Sequence, residues 1–280
     1  MNKIEFEIKS IEKVLRNSWI KKEGSLVDQI YKTLRANIIN LSLPPEMPLV
    51  EKEIASIVEI SKTPVREALI RLENDRLVSI VPKSGSYVTP ISLERYIEAC
   101  FIRVSLEGGC VKRLAERGIG LAEKIQIQSI IRKQEQLSEQ DSDAFELKAD
   151  SPHFEANEEF HRTLFGYADF SGAWLLLNSA KAEIDRVRHL KNMMGINRQR
   201  SIIDEHTDIV QAILDRDPQK AEHAMIRHIG DINEETEIIS NNPLFISTMQ
   251  DFNSLISEQR RRRNASTANG RRFVSKRVIF

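Results

Sequence analysis

Hydrophobic spacing in this chain departs from the helical period in one place. From Ser25 the apolar Ile30, Leu34, Ile38 and Ile39 share one helical face, and "LPPE" (Leu43 to Glu46) stops that helix. Helical segments follow at Glu51 to Val58 and from Ser61. The stretch "VSIVPKSGSYVTP", residues 78–90, then alternates around a turn-rich "PKSG", the pattern of a small β-hairpin. After Pro90 the helical period returns and persists to about residue 240. A lone hairpin among helices cannot form a sheet core, so the chain is expected to be mainly α. The order is helix, helix, helix, hairpin over residues 25–90, then an all-α bundle of about six helices over 91–240.

Caps place the bundle helices. Ser92 opens a long helix to about Arg117 with a soft spot at Gly108–Gly109, and "LAEKIQIQSIIRKQEQLSEQ" forms the second. After the polar "DSDAFELKAD", Ser151 caps a third helix with Pro152 at its first position. A fourth starts at Ser171 and is broken by "NMMGINRQ"; a fifth runs from Ser201 to Leu214. Asp217 and Pro218 open a sixth, expected to reach about Ile239. Residues 1–24 form an N-terminal extension, and residues 241–280 a basic tail expected to be disordered.

Charge is distributed unevenly although the net charge is +0. Residues 1–90 carry 14 Lys+Arg and 12 Asp+Glu, residues 91–259 carry 19 and 29, and residues 260–280 carry eight and none. The acidic middle will not bind a polyanion broadly, so any nucleic-acid contact must come from the first segment, the tail, or both. The charged N-terminus lacks the apolar region of a signal peptide, and no apolar run approaches the length of a membrane span. A cytoplasmic protein with no membrane partner is expected. Cys100 and Cys110 lie about 15 Å apart along one helix, beyond disulfide reach, and read as reduced core residues.

The helix "SKTPVREALIRLENDRLV" shows what the first domain is built to do. Ser61 suits the N-cap, where its hydroxyl would accept from an unpaired amide, and Pro64 falls within the first turn, where its missing N–H costs little. Val65, Ala68, Leu69 and Leu72 make the buried stripe. Lys62, Thr63 and Arg66 remain at the N-terminal end and off the stripe, where a recognition helix meets the major groove. Arg66 could pair with guanine O6 and N7, and Thr63 could touch a base edge or phosphate. The tip Lys83-Ser84-Gly85 suits a phosphate backbone or a minor groove. One capped amphipathic helix would be commonplace; three helices followed by a basic-tipped hairpin are the order of a winged helix-turn-helix.

In the second domain "ANEEFHRTLF" places Asn157 one turn before His161, while His206 and His228 lie on the fifth and sixth helices. One amide and three imidazoles form a candidate set for a divalent Zn, Ni, Fe or Mn ion. Scattered helix histidines are more commonly surface or satisfied core residues. His153, His189 and His223 read as exposed or capping.

Residues 25–90 resemble the DNA-binding domain of the GntR family of bacterial transcription regulators, with "TPVREAL" the most specific part. The helical segment resembles the FCD-type ligand domain of the FadR-like subfamily, so that the resemblance covers about residues 25–240. It implies a homodimer, more often a repressor than an activator, that binds a palindromic double-stranded operator under control of a small effector. It places DNA contacts on Lys52, Lys62, Thr63, Arg66, Lys83 and Gly85, and Ser61 is counted with them as a DNA-binding residue. It also implies a metal on Asn157, His161, His206 and His228, with the neutral Asn157 standing where a carboxylate is commoner. Arg103 matches the arginine that such domains direct into the cavity, and Glu107, one turn on, would orient it. An organic-acid or sugar-acid effector suits such a pocket. The family usually has glycine where this chain has Glu46, Glu59 and Arg76; either these residues accept left-handed geometry or the turns differ, and Glu59 would weaken DNA binding. Two alternatives remain at this point, a metal-dependent enzyme built on the helical domain and a non-specific DNA binder using the tail. No phosphate loop, nucleophile elbow or HExxH supports the enzyme.

Overall fold

The computed structural model describes residues 9–19, 23–140, 152–194, 202–230, 236–237, 239, 241–259 and 261 of the 280. The loop 141–150, the proposed caps Ser151 and Ser201, residues 195–200 of the second loop, and residues 262–280 lie outside the described residues. The chain forms two compact units, residues 1–91 with 246–280 and residues 92–245.

The first unit contains α1 (Ile11–Ser18), α2 (Leu26–Ile39), α3 (Glu51–Ile57), α4 (Lys62–Asn74), β1 (Val78–Val81) and β2 (Gly85–Val88). Val65, Ala68, Leu69 and Leu72 of α4 are buried, as are Ile30, Leu34, Ile38 and Ile39 of α2, so both expected stripes form the core. The strands pair antiparallel with Val78 opposite Val88 and Val81 opposite Gly85. Pro48 bridges Tyr87 on the outer side, and β2 is thereby tied to the turn before α3.

The three residues standing in glycine's place adopt the left-handed conformation, with φ of 62° at Glu46, 57° at Glu59 and 58° at Arg76. The turns are therefore unchanged and the side chains carry the strain, about 1 kcal/mol each. Ser61 sits at the N-cap of α4, yet its hydroxyl makes no capping hydrogen bond, contrary to expectation. Pro64 occupies the third helical position, where the amide that usually binds the cap would be, and it has no N–H to give.

Both extensions contribute to this unit. Ile11, Val14 and Leu15 of α1 are buried, and Asn37 donates to Ser18 at 2.9 Å. The tail expected to be disordered contains a helix, α11 (Pro243–Asn253), with helical turns continuing to residue 259. Met249, Phe252 and Ile256 are buried at helical spacing, and this stripe supplies the burial that the charge-based reading overlooked.

The second unit contains α5 (Leu93–Arg117), α6 (Leu121–Gln140), α7 (Pro152–Tyr167), α8 (Ser171–Met193), α9 (Ile202–Leu214) and α10 (Pro218–Ile229). Its core joins Val111 and Leu114 of α5, Ile127 of α6, Phe160 and Leu164 of α7, and Ile209 and Ile213 of α9. The sixth bundle helix ends ten residues before the expected Ile239, because Gly230 turns the chain at φ 107° while its amide caps Ile226. Gly108–Gly109 does not interrupt α5; a Cβ at Gly108 would make an ordinary contact, 3.7 Å from Glu222 of α10, and one at Gly109 would meet nothing within 4 Å. Cys100 and Cys110 are both buried and neither is in a disulfide.

Candidate functional site

In the first unit the expected DNA-facing residues are exposed. Ser61, Lys62, Thr63 and Arg66 cluster at the start of α4, Lys52 lies on α3, and Lys83 and Gly85 form the hairpin tip. The tip is shaped by left-handed backbone, φ 63° at Lys83 and 128° at Gly85, and by the Tyr87 hydroxyl donating to the Ser84 carbonyl at 2.9 Å. Arg66 is held by Glu51 of α3, Nε to Oε1 3.0 Å. That pair is largely exposed and weak, so Arg66 can be released to a base at little cost.

The second unit buries its candidate groups. His161 of α7, His206 of α9 and His228 of α10 lie with ligand atoms within 4.8 Å of one another. His228 Nε2 is 3.2 Å from His161 Nε2 and 3.3 Å from His206 Nε2. Each Nδ1 has its own partner. His161 Nδ1 lies 2.5 Å from Glu107 Oε2, His228 Nδ1 2.9 Å from Glu205 Oε2, and His206 Nδ1 2.9 Å from Gln134 Oε1. The Gln134 amide is oriented by Nε2 donating to the Ala156 carbonyl at 3.0 Å, so its oxygen faces His206. His206 and His228 each have an acceptor at Nδ1, and His161 Nδ1 lies against the Glu107 carboxylate; with the proton on Nδ1 in each ring, the three Nε2 lone pairs face one another. Lone pairs 3.2–3.3 Å apart repel unless a proton or a metal ion lies between them.

The charge environment agrees with neutral rings. Burial holds His206 well below the usual imidazole value, and His228 and His161 add to it. Burial also lowers His161, although Glu107 pulls the other way. Phe160 stacks on His206 at 3.8 Å and fixes its plane. Asn157 is buried one turn before His161 on α7, and no side-chain hydrogen bond is seen for it among the described residues. The donor set therefore fits a divalent ion: three oriented imidazoles, with the buried Asn157 amide one turn before His161 on α7.

Arg103 and Glu107 form an ion pair on α5, Nε to Oε1 2.7 Å, with side chains only 4% and 1% exposed. Burial alone would raise the Glu107 carboxyl, but Arg103 and then His161 outweigh it and hold it well below the usual carboxylate range. Glu107 therefore orients the arginine, as expected, and also a histidine of the cluster. Lys181 of α8, 1% exposed, pairs with Glu158 and lies over Trp174 at 5.3 Å. Glu158 thus has a buried cationic partner instead of a solvated face, whereas Glu159 pairs with Lys133 at 2.8 Å near the surface. His223 is exposed as expected; His153 and His189 are half-buried, because they lie on sides of α7 and α8 that pack within the bundle. Sequence reasoning missed Gln134, Glu205 and Lys181, none of which sits at a motif spacing.

Comparison with known proteins agrees with both halves of the molecule. Residues 26–88 match the model for bacterial regulatory proteins of the gntR family, and residues 98–231 match the FCD domain. The HTH-type transcriptional repressor RspR of Escherichia coli (strain K12) is 33% identical over 211 residues, covering 75% of this chain and 89% of that protein. The gluconate operon transcriptional repressor of Bacillus subtilis (strain 168) is 23% identical over 227 residues, covering 78% of this chain and 88% of that protein. The solved structure of E. coli McbR/YncC shares the fold, with a TM-score of 0.61 and 22% identity over 78% of this chain and all of that one. With a winged helix-turn-helix in its first unit and an FCD domain in its second, the chain belongs to the GntR family of bacterial transcription regulators.

Proposed function

We propose that the chain is a homodimeric repressor whose grip on a palindromic operator is set by an organic-acid or sugar-acid effector bound at a metal-containing pocket. Lys62, Thr63 and Arg66 read the major groove, the free Ser61 hydroxyl and Lys52 meet phosphates, and Lys83 and Gly85 follow the backbone or minor groove. His161, His206, His228 and the Asn157 oxygen hold a divalent ion. A bound ion would act there as a Lewis acid for an effector carboxylate. Arg103, already oriented by Glu107, offers the remaining N–H groups of its guanidinium to the same anion. Effector binding then favours a domain arrangement that mismatches the two half-sites. What carries this reading is the convergence of three Nε2 lone pairs whose rings are each fixed from behind.

Calorimetric titration of Zn, Ni and Mn into the parent and into His206→Ala tests it. Binding by the parent and its loss in the variant is the expected result; equal binding by both would refute the metal assignment. A panel of organic and sugar acids that gave neither thermal shift nor operator release would refute the effector.

A further inference from the structure

We infer that Ile70 is a specificity-determining residue of operator recognition: its side chain meets the 5-methyl group of a thymine in the major groove, about three base pairs from the bases that Thr63 reaches. The inference rests on the proposed reading of DNA by α4 and adds to it an apolar contact that selects one base. Contacts within the first unit leave one strip of α4 open. With about 100° between successive residues, Val65, Ala68, Leu69 and Leu72 form the buried side. Glu73 flanks that side on one edge, where its carboxylate accepts from the Ile80 amide of β1 at 2.9 Å and ties the helix to the hairpin. Arg71 flanks it on the other edge and pairs with Asp28 of α2. Between Glu73 and Arg71, away from the core, lie Arg66, Ile70, Thr63, Asn74 and Glu67, in that order around the helix. All five are exposed.

Of these five, Ile70 alone is apolar, and 44% of its surface is exposed. A single exposed apolar side chain is ordinary, so its place on the strip carries the argument. It stands about 20° around the helix from Thr63 and two turns further along, at the middle of the open side. The helix itself gains nothing from it, because isoleucine is a weaker helix former than alanine, glutamate, lysine or arginine. Phosphates gain nothing from it either, and Glu67 beside the same strip would repel them. The strip therefore suits base edges better than backbone. There an isoleucine has one apolar partner, the methyl group that thymine displays in the major groove. From Thr63 to Ile70 the helix rises about 10 Å, which matches three base-pair steps of about 3.4 Å. A recognition helix lying along the groove brings both residues to bases, whereas one entering end-on brings only Thr63. The contact thus also fixes the tilt of α4 on the duplex.

Uracil differs from thymine only by the missing methyl group, and so isolates the contact. The full chain first selects a duplex from a random-sequence pool. Each thymine of the selected consensus is then replaced in turn by uracil, symmetrically in both half-sites. Affinities are measured for the full-length parent, Ile70→Ala and Ile70→Val. For the parent, one symmetric replacement should weaken binding by about tenfold, roughly threefold for each methyl group. Ile70→Ala should bind the thymine duplex about as weakly as the parent binds that uracil duplex, and should not distinguish the two. Ile70→Val keeps two branched methyl groups and should keep the preference for thymine. Neither variant should lower the melting temperature, because position 70 is exposed. Uracil penalties equal in the parent and in Ile70→Ala would overturn the inference and leave α4 end-on in the groove. Half-sites without thymine would overturn it as well. A pool from which no duplex is recovered would instead refute operator recognition by α4, on which the inference rests.

Discussion

The two units treat their polar side chains in opposite ways. In the winged-helix unit the groups that would meet a ligand, Lys62, Thr63, Arg66 and Lys83, are exposed, and the backbone beneath them is fixed at left-handed positions such as Glu59 and Arg76. In the helical unit the corresponding groups, Arg103, Glu107, His161, His206 and His228, are buried, and each is held by another side chain. A long polymer with a regular charge can be gripped by exposed side chains on a rigid frame, because the polymer itself orders them. A small ligand cannot, so its site must be ordered beforehand, at the cost of burying charge.

Four measurements would break or sharpen this contrast, the largest first. Glu107→Gln leaves the buried Arg103 without its counter-charge and should destabilise the helical unit by about 3–5 kcal/mol in chemical denaturation. Adding Arg103→Met should restore most of that loss; if the double variant is as unstable as the single one, the pair is not the cause. In the first unit Tyr31 donates to Asp75 at 2.5 Å, and burial, helped by that contact, pushes its hydroxyl up to about 12 from 10.0. A group raised on folding gives stability that is complete below its unfolded value and is lost as pH rises through the folded one. Stability should therefore fall between pH 10 and 12, by about 1 kcal/mol after allowance for solvent screening at this half-buried site. Tyr31→Phe should lack that decline; an identical pH profile would remove Tyr31 as its source.

Glu59→Gly relieves a left-handed residue at φ 57° and should stabilise the winged-helix unit by about 0.5–1 kcal/mol. It should also tighten DNA binding at low salt, because a negative charge leaves the turn. A destabilised variant would show that Glu59 is not strained. The smallest effect is expected at Ser61→Ala. An N-cap serine usually contributes about 1 kcal/mol, but this hydroxyl caps nothing, so the melting temperature should not move while DNA affinity falls. A loss of stability near the usual value would restore the cap and remove the phosphate contact.

The first unit was legible in the sequence because its signals are local. The stripe of α4, the proline in its first turn and the hairpin turn each lie within a few residues of what they determine. Even the three missing glycines pointed to the right backbone positions, since a turn keeps its φ when its residue changes. The second site was half legible. His161, His206 and His228 could be selected by helix and spacing, but the groups behind them could not. Glu205 adjoins His206 in sequence yet binds His228, and Gln134 reaches His206 across 72 positions. Such pairs are set by how α6, α9 and α10 pack, which no short-range pattern records. The C-terminal helix is a different case, because Met249, Phe252 and Ile256 spell a helical stripe that strong downstream charge concealed.

The Asn253 side chain accepts from the Ile91 amide and donates to the Ile91 carbonyl, and this clamp bears on how the protein is made. The DNA-binding unit is discontinuous in the chain: residues 92–245 are synthesised between its two parts. At ribosomal rates of about 5–20 residues per second, that insertion delays the second part by on the order of ten seconds or more. For that interval a nascent chain has its α2–α4 stripe assembled while the backbone groups of Ile91 still lack the partner they will have. The helical unit can therefore fold before the DNA-binding unit is complete.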